Sequence, residues 1–122
     1  MLKKFIVFIA CQLVLIFSAL AGEAKWLAPK GENVDRPNCW AAFRKDFKVD
    51  SVPQSAKAKI AADSKYWLWI NGKLAVFEGG LKRGPNPNDT YFDEVDIAPF
   101  LKKGENKLAM LVWHFGKHGF SH

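Results

Sequence analysis

The residue types in this chain that could do chemistry fall into three groups. Asp93, Glu94 and Asp96 form an acidic cluster, and hydrolysis of a glycosidic bond uses two carboxyl groups roughly 5–10 Å apart across the scissile bond. On an extended strand Asp93 and Glu94 point to opposite faces, so they cannot flank one bond. Asp96 shares a face with Glu94 but stands where it would cap the turn that follows, so no catalytic residue is assigned. Trp67, Trp69, Trp113 and Tyr91 could offer flat rings to the apolar side of a pyranose. Arg83, Asn86, Asn88 and Asp89 could supply the hydrogen bonds that orient its hydroxyls. These eight are the candidate carbohydrate-binding residues; the competing role for the tryptophans is packing inside a sandwich or against another domain. His114, His118 and His122 recur every four residues, a spacing that aligns metal ligands on a helix. Gly116 and Gly119 interrupt that segment and His114 falls in a strand pattern, so neither a metal nor any cofactor is expected.

Positioning these groups depends on Tyr66–Phe77, YWLWINGKLAVF. Asn71-Gly72 suits a two-residue type I′ turn, whose two central residues need positive φ. A two-residue loop sets Ile70 opposite Lys73, Trp69 opposite Leu74, Leu68 opposite Ala75, Trp67 opposite Val76 and Tyr66 opposite Phe77. One face then carries Tyr66, Leu68, Ile70, Ala75 and Phe77; the other carries Trp67, Trp69, Leu74 and Val76. Both are apolar, so each needs a cover.

Further strands are expected at Trp40–Phe47, with Phe43 and Phe47 in the core, at Ala56–Ala62, at Tyr91–Ile97 and at Lys107–Phe115. In the second of these, Ala56, Ala58, Ile60 and Ala62 face inward while Lys57 and Lys59 face water. Gly79–Asp89 is an irregular loop rich in Gly, Pro and Asn. Ala98–Asn106 reads as a short helical turn or a tight connection, which Asp96 could cap and Gly104 could end, with Asn71, Gly72, Gly104 and Asn106 as turn residues in structural roles. About six strands with turns at this spacing define an all-β fold, an antiparallel β-sandwich. No closing strand follows Phe115, so the sandwich is expected to be incomplete at its C-terminus.

The chain has 122 residues, enough for one small domain. Lys3 and Lys4, the apolar run Phe5–Phe17 and Ser18-Ala19-Leu20-Ala21 read as a secretory signal cleaved after Ala21. Residues 22–38 are then a lead-in and 39–122 the partial sandwich. The run is short for a membrane span, so no membrane association is expected after cleavage, and the mature protein is expected to be periplasmic or extracellular. Loss of Lys3 and Lys4 leaves 16 of the 18 basic residues against 12 acidic ones, which lowers the formal charge from +6 to +4. The basic residues are scattered, which argues against a nucleic-acid partner. Cleavage also removes Cys11 and leaves Cys39 as the only thiol, read here as a buried structural one.

Three stretches follow one pattern: FRKDF at 43–47, AKAKIAADSKYWLWINGK at 56–73 and YFDEVDIAPFLKKGENKLAMLVW at 91–113. The pattern resembles the galactose-binding-like jelly-roll domain found near the N-terminus of many glycoside hydrolases. KRGPNPNDTYFDEVDI and the closing WHFGKHGFSH are most similar to the corresponding domain of secreted bacterial α-L-rhamnosidases. The resemblance covers nearly all of the chain from Trp40 onward. It implies a jelly roll with an accessory role: binding a rhamnose-containing carbohydrate, or packing on an (α/α) barrel that holds the catalytic carboxylates and is missing from this chain. A free-standing, lectin-like carbohydrate-binding protein is the alternative.

Overall fold

The computed structural model describes residues 24–31, 36–80 and 91–116. Six strands and one short turn of 3₁₀ helix are defined among them: β1 (Cys39–Val49), β2 (Lys57–Ile60), β3 (Lys65–Ile70), β4 (Lys73–Gly79), β5 (Asp93–Asp96), the turn Ala98–Phe100, and β6 (Gly104–His114). They form a four-stranded antiparallel sheet in the order β1-β6-β3-β4 and a two-stranded antiparallel sheet of β2 and β5. The expected all-β sandwich is therefore the observed fold.

The core lies between the two sheets. Tyr66, Leu68 and Ile70 from β3 are completely buried and meet Ala56, Ala62 and Ile97 from the opposite side. Ala58, Ile60 and Val95 pack against this cluster from the small sheet, and Leu108, Met110 and Val112 from β6. Inward positions in and around β2 are mostly alanine (Ala56, Ala58 and Ala62, with Ile60), which allows a thin two-stranded layer to close over the large side chains of β3. Lys57 and Lys59 face outward, as the alternation requires.

Pairing extends the outer elements beyond their expected limits. β1 runs from Cys39 to Val49 because all of it pairs with β6, from Cys39 opposite His114 to Val49 opposite Gly104. Phe47 packs on the core, whereas Phe43 is only half-buried. Gly104 does not end a helical turn. It opens β6 at φ +89, and the turn stops at Phe100. β5 is shorter than expected, because Tyr91 and Phe92 are exposed and Ile97 turns into the 3₁₀ segment. Cys39 is half-buried rather than enclosed.

The Asn71-Gly72 turn forms as expected, with φ of 51° and 79°. Next to it Ile70 opposes Lys73 and Trp69 opposes Leu74, but the register then slips twice. Leu68 opposes Val76 instead of Ala75, and Tyr66 opposes Gly79 instead of Phe77. The slips move Val76 onto the core face and Phe77 onto the outer face, the reverse of the expected assignment. The first slip, between Trp69 and Leu68, makes this exchange; the second lies at the strand end. Glu78 takes φ +52, and the Tyr66 ring lies over Gly79 where any Cβ would collide with it. Tyr66 gains full burial there, and its hydroxyl donates to Asp93 at 2.7 Å. A bulge is the local irregularity that permits this.

Asp96 caps the 3₁₀ turn and also ties down the start of β2. Its Oδ1 accepts from the Ala98 N–H (3.0 Å) and the Ala56 N–H (2.9 Å), and its Oδ2 accepts from Ser55 Oγ (2.9 Å). The two backbone hydrogen bonds and the serine hold this carboxyl below its usual range. The charged form is favoured by folding, so its contribution is present above the unfolded pKa and lost as pH falls through the folded one. We expect Asp96→Asn to flatten the acid limb of the melting temperature against pH, measured by circular dichroism below about pH 5.

Candidate functional site, an aromatic face on the large sheet

The inner face of the four-stranded sheet is closed by the small sheet. On the outer face, alternation brings up Trp40, Ala42 and Arg44 from β1, Ala109, Leu111 and Trp113 from β6, and Trp67 and Trp69 from β3. Register sets Trp40 directly opposite Trp113, and Trp67 opposite Leu111. Trp40 stacks on Trp67 with ring centroids 5.5 Å apart and on Trp113 at 5.8 Å, at interplanar angles of 28° and 21°. Phe77 meets Trp67 edge-on at 6.4 Å, and Phe115 meets Trp113 edge-on at 5.3 Å. The result is a chain of ring contacts, Phe77–Trp67–Trp40–Trp113–Phe115, which doubles back because β6 lies between β1 and β3. Phe77 is 69% exposed and Trp40 52% exposed.

One end of this chain of rings is anchored by polar contacts. Trp113 Nε1–H donates to Asn38 Oδ1 (2.9 Å), and the Asn38 N–H donates to the Phe115 carbonyl (3.0 Å). Asn38 has φ +55, which an asparagine tolerates better than most residues. Ser64 N–H donates to the Trp113 carbonyl (2.7 Å), and the Phe115 N–H donates to Ser64 Oγ (3.0 Å). Gly116 fits closely against Pro37: a Cβ there would lie 2.7 Å from the proline Cα. The indole of Trp113 is thus fixed in orientation.

Of the residues singled out from the sequence, the fold gathers Trp67, Trp69 and Trp113 on this one face. Trp69 is half-buried and stands across Ala109 from Arg44. Tyr91 is exposed ahead of β5, on the other sheet, apart from these rings. Arg83, Asn86, Asn88 and Asp89 lie outside the described residues, as do His118 and His122. Trp40, Phe77 and Phe115 complete the set of rings and were not anticipated. Only the non-local pairing of β1 with β6, and the slip in β4, place them beside the others.

The three carboxylates have separate partners. Asp93 points inward to the Tyr66 hydroxyl. Glu94 points outward and pairs with Lys57 Nζ at 2.7 Å, an exposed pair that lowers the carboxyl and raises the ammonium. Asp96 is the cap described above. His114 Nδ1 lies 3.6 Å from Asp63 Oδ1, and no cluster of metal-ligating side chains occurs among the described residues. Burial, then the hydrogen bond to Asp93, pushes the Tyr66 phenol well above its ordinary range. Folding therefore favours the protonated phenol. That contribution is intact below about pH 10 and is lost as pH rises toward the folded value. Tyr66→Phe is expected to remove this alkaline slope from the melting curve and to cost about 1–2 kcal/mol at neutral pH, by urea titration.

Set beside known proteins, the chain is a β-sandwich related to glycoside hydrolases. The likeness is to the crystal structure of a GH78 family rhamnosidase of Bacillus sp. GL1, at 33% sequence identity and a TM-score of 0.65. It covers 82% of this chain and 11% of that one, so the chain spans about a ninth of the rhamnosidase's length. No protein-family model and no curated protein matches the sequence. Among the described residues, no helix is long and apolar enough to cross a membrane.

Proposed function

We propose that this chain is an accessory, carbohydrate-binding-like β-sandwich of an exported α-L-rhamnosidase-like glycoside hydrolase, of the galactose-binding-like jelly-roll type. The observation that carries this reading is the 33% identity to a rhamnosidase over most of this chain but only 11% of the other. A similarity confined in that way is what a module shared with a larger enzyme produces. The separate employment of Asp93, Glu94 and Asp96 agrees with it, since none of them is left to act as one of a hydrolytic pair. Hydrolysis then belongs to an (α/α) barrel elsewhere. Trp67, Trp69 and Trp113 are the contact residues for sugar, with Tyr91, Arg83, Asn86, Asn88 and Asp89 as further contacts. Export follows from the signal-like first 21 residues.

The test is a pair of measurements on the purified protein: release of chromophore from an aryl α-L-rhamnoside, and the thermal melt with and without rhamnose-containing oligosaccharides. We expect no release, and an upward shift of the melt that grows with sugar concentration. Hydrolysis by this chain, or a melt indifferent to every sugar, would overturn the reading. The free-standing lectin-like alternative is favoured by one observation, the exposed and stacked Trp40. It requires sugar binding at full strength without any partner domain.

A further inference from the structure

The outer face of the four-stranded sheet has no covering layer among the described residues; the small sheet closes the inner face alone. Phe77 is 69% exposed, Trp40 52% and Leu74 45%, with the half-buried Trp67, Trp69 and Leu111 between them. Trp40 and Phe77 alone leave about 250 Å² of apolar side chain in water, so the whole patch reaches the several hundred Å² that mark an interaction surface. Trp40 has its ring faces against Trp67 and Trp113, so its exposed part is ring edge.

Size is distributed unevenly across this face. Register places Arg44, Ala109, Trp69 and Leu74 in one cross-strand line. Ala42, Leu111 and Trp67 form the next, where Phe77 meets Trp67. The β1–β6 half therefore has low points at Ala42 and Ala109, and the β3–β4 half has high points at Trp69 and Phe77. A half-turn about an axis running along the strands, between β6 and β3, exchanges the two halves. It lays Phe77 of one copy over Ala42 of the other, and Trp69 over Ala109, each twice. Large side chains then meet small ones, as interdigitation of sheets about 10 Å apart requires. Leu74 falls under the aliphatic stem of Arg44, whose guanidinium stays at the rim.

Charge permits the same arrangement. At and beyond the level of the hairpin turn the outer face carries Asp46 opposite Lys107 and Lys48 opposite Glu105, two charges of each sign. These form a polar rim that does not repel its own copy, although the chain as a whole is basic at +6. At a rise of about 3.4 Å and a spacing of about 4.8 Å, the four strands span roughly 550–600 Å² in projection. Accessible surface exceeds the projection, so two copies bury about 1,200 Å² or more, which meets the lower limit of a specific interface.

We propose that this face is an isologous contact between two copies of the chain, with the strands of the two sheets aligned and the two-fold axis between β6 and β3. Such a contact closes at two copies. The inference does not depend on sugar binding. It bears on that reading in one way: Trp67, Trp69 and Trp113 are covered in the dimer, so a sugar and the second copy compete for them.

The experiment is sedimentation equilibrium of the purified protein without sugar, from about 1 to 200 μM, a range that brackets micromolar dissociation constants. The weight-average mass should rise with concentration toward twice the monomer and level off there. Phe77→Asp should weaken association by about tenfold or more, because it puts a charge in an apolar contact. Ala42→Arg should do the same without removing any apolar side chain, because it fills the low point that Phe77 occupies. Phe92→Asp alters another exposed ring, beside Lys59 of the small sheet, and should leave the dimer unchanged. All three positions are exposed, and thermal melts verify that the fold persists.

A mass that stays monomeric throughout overturns the inference, and so does growth past the dimer without a plateau. A dimer that survives Phe77→Asp or Ala42→Arg unchanged also overturns it, because the contact then lies elsewhere. None of these results touches the accessory carbohydrate-binding reading, which stands or falls on the melt with sugar.

Discussion

Gly79→Ala is expected to destabilise the sandwich by about 3 kcal/mol, or to prevent its folding, as read by urea unfolding. Gly79 lies on an edge strand and would ordinarily be a minor position. Here the ring of Tyr66 occupies the space a side chain would take. Alanine has to displace that ring, and the ring cannot move cheaply. Tyr66 has no exposed surface and its hydroxyl is bonded to Asp93. Relief by shifting the tyrosine would therefore break the link between the two sheets as well as the local packing. A double-mutant cycle separates these effects. In a Tyr66→Leu background the shorter side chain clears Gly79, so the added methyl should cost less than about 1 kcal/mol. If alanine at 79 were equally harmful in both backgrounds, the bulge would owe its form to the positive φ at Glu78 and not to the tyrosine.

Asn106→Ala is expected to cost about 3–4 kcal/mol, the second large effect. Asn106 is fully buried, and no atom of its amide is idle. Its Oδ1 accepts from the Lys102 N–H (2.9 Å) and from Asn71 Nδ2 (2.8 Å). Its Nδ2 donates to the carbonyls of Lys102 (2.7 Å) and Gly104 (2.9 Å). Asn71 in turn donates to the Phe100 carbonyl (2.9 Å) and accepts from the Lys107 N–H (3.0 Å). One amide pair thus joins the hairpin turn, the 3₁₀ segment and the start of β6. Removing Asn106 leaves several partly buried backbone groups and the Asn71 amide without their partner at once, and each unsatisfied buried group costs about 1–3 kcal/mol. Asn71→Ala should overlap strongly with it, so the double variant should lose clearly less than the sum. Hydrogen exchange at the Lys102 and Lys107 amides should accelerate in either single variant.

These two positions mark what could and could not be read in the chain beforehand. The Asn-Gly turn was legible because positive φ at two successive residues leaves few alternatives. The alternation of Ala56–Ala62 was legible because a half-buried strand imposes a period of two. The structural duty of Asn71 and Asn106 was visible as a type but not as a partnership, since 35 residues separate them. The register slip in β4 had no local signature. One shift, between Trp69 and Leu68, exchanges the faces of Val76 and Phe77, and a second brings Gly79 under the ring of a tyrosine thirteen residues upstream. Gly104 was misread because a glycine with positive φ can close a helix or open a strand, and only pairing with Val49 decides which.

The same distinction applies to the aromatic face. Strand parity put Trp67 and Trp69 on one face of the hairpin, but with both faces apolar it could not tell the outer face from the inner, nor place Trp113 beside them. Trp40 was not anticipated, because its role depends on standing opposite Trp113 in a strand pair that spans most of the chain.

The anchoring of Asn38 on Phe115 and of Pro37 against Gly116 has a consequence for how such a unit can be inherited. The backbone arrives at the sandwich and departs from it at one point, within a single hydrogen bond of 3.0 Å. A polypeptide built this way passes through all six described strands and returns almost to where it entered them. Such a unit can be gained, lost or exchanged within a longer chain with little disturbance to its neighbours, much as a bead is threaded onto or taken off a cord.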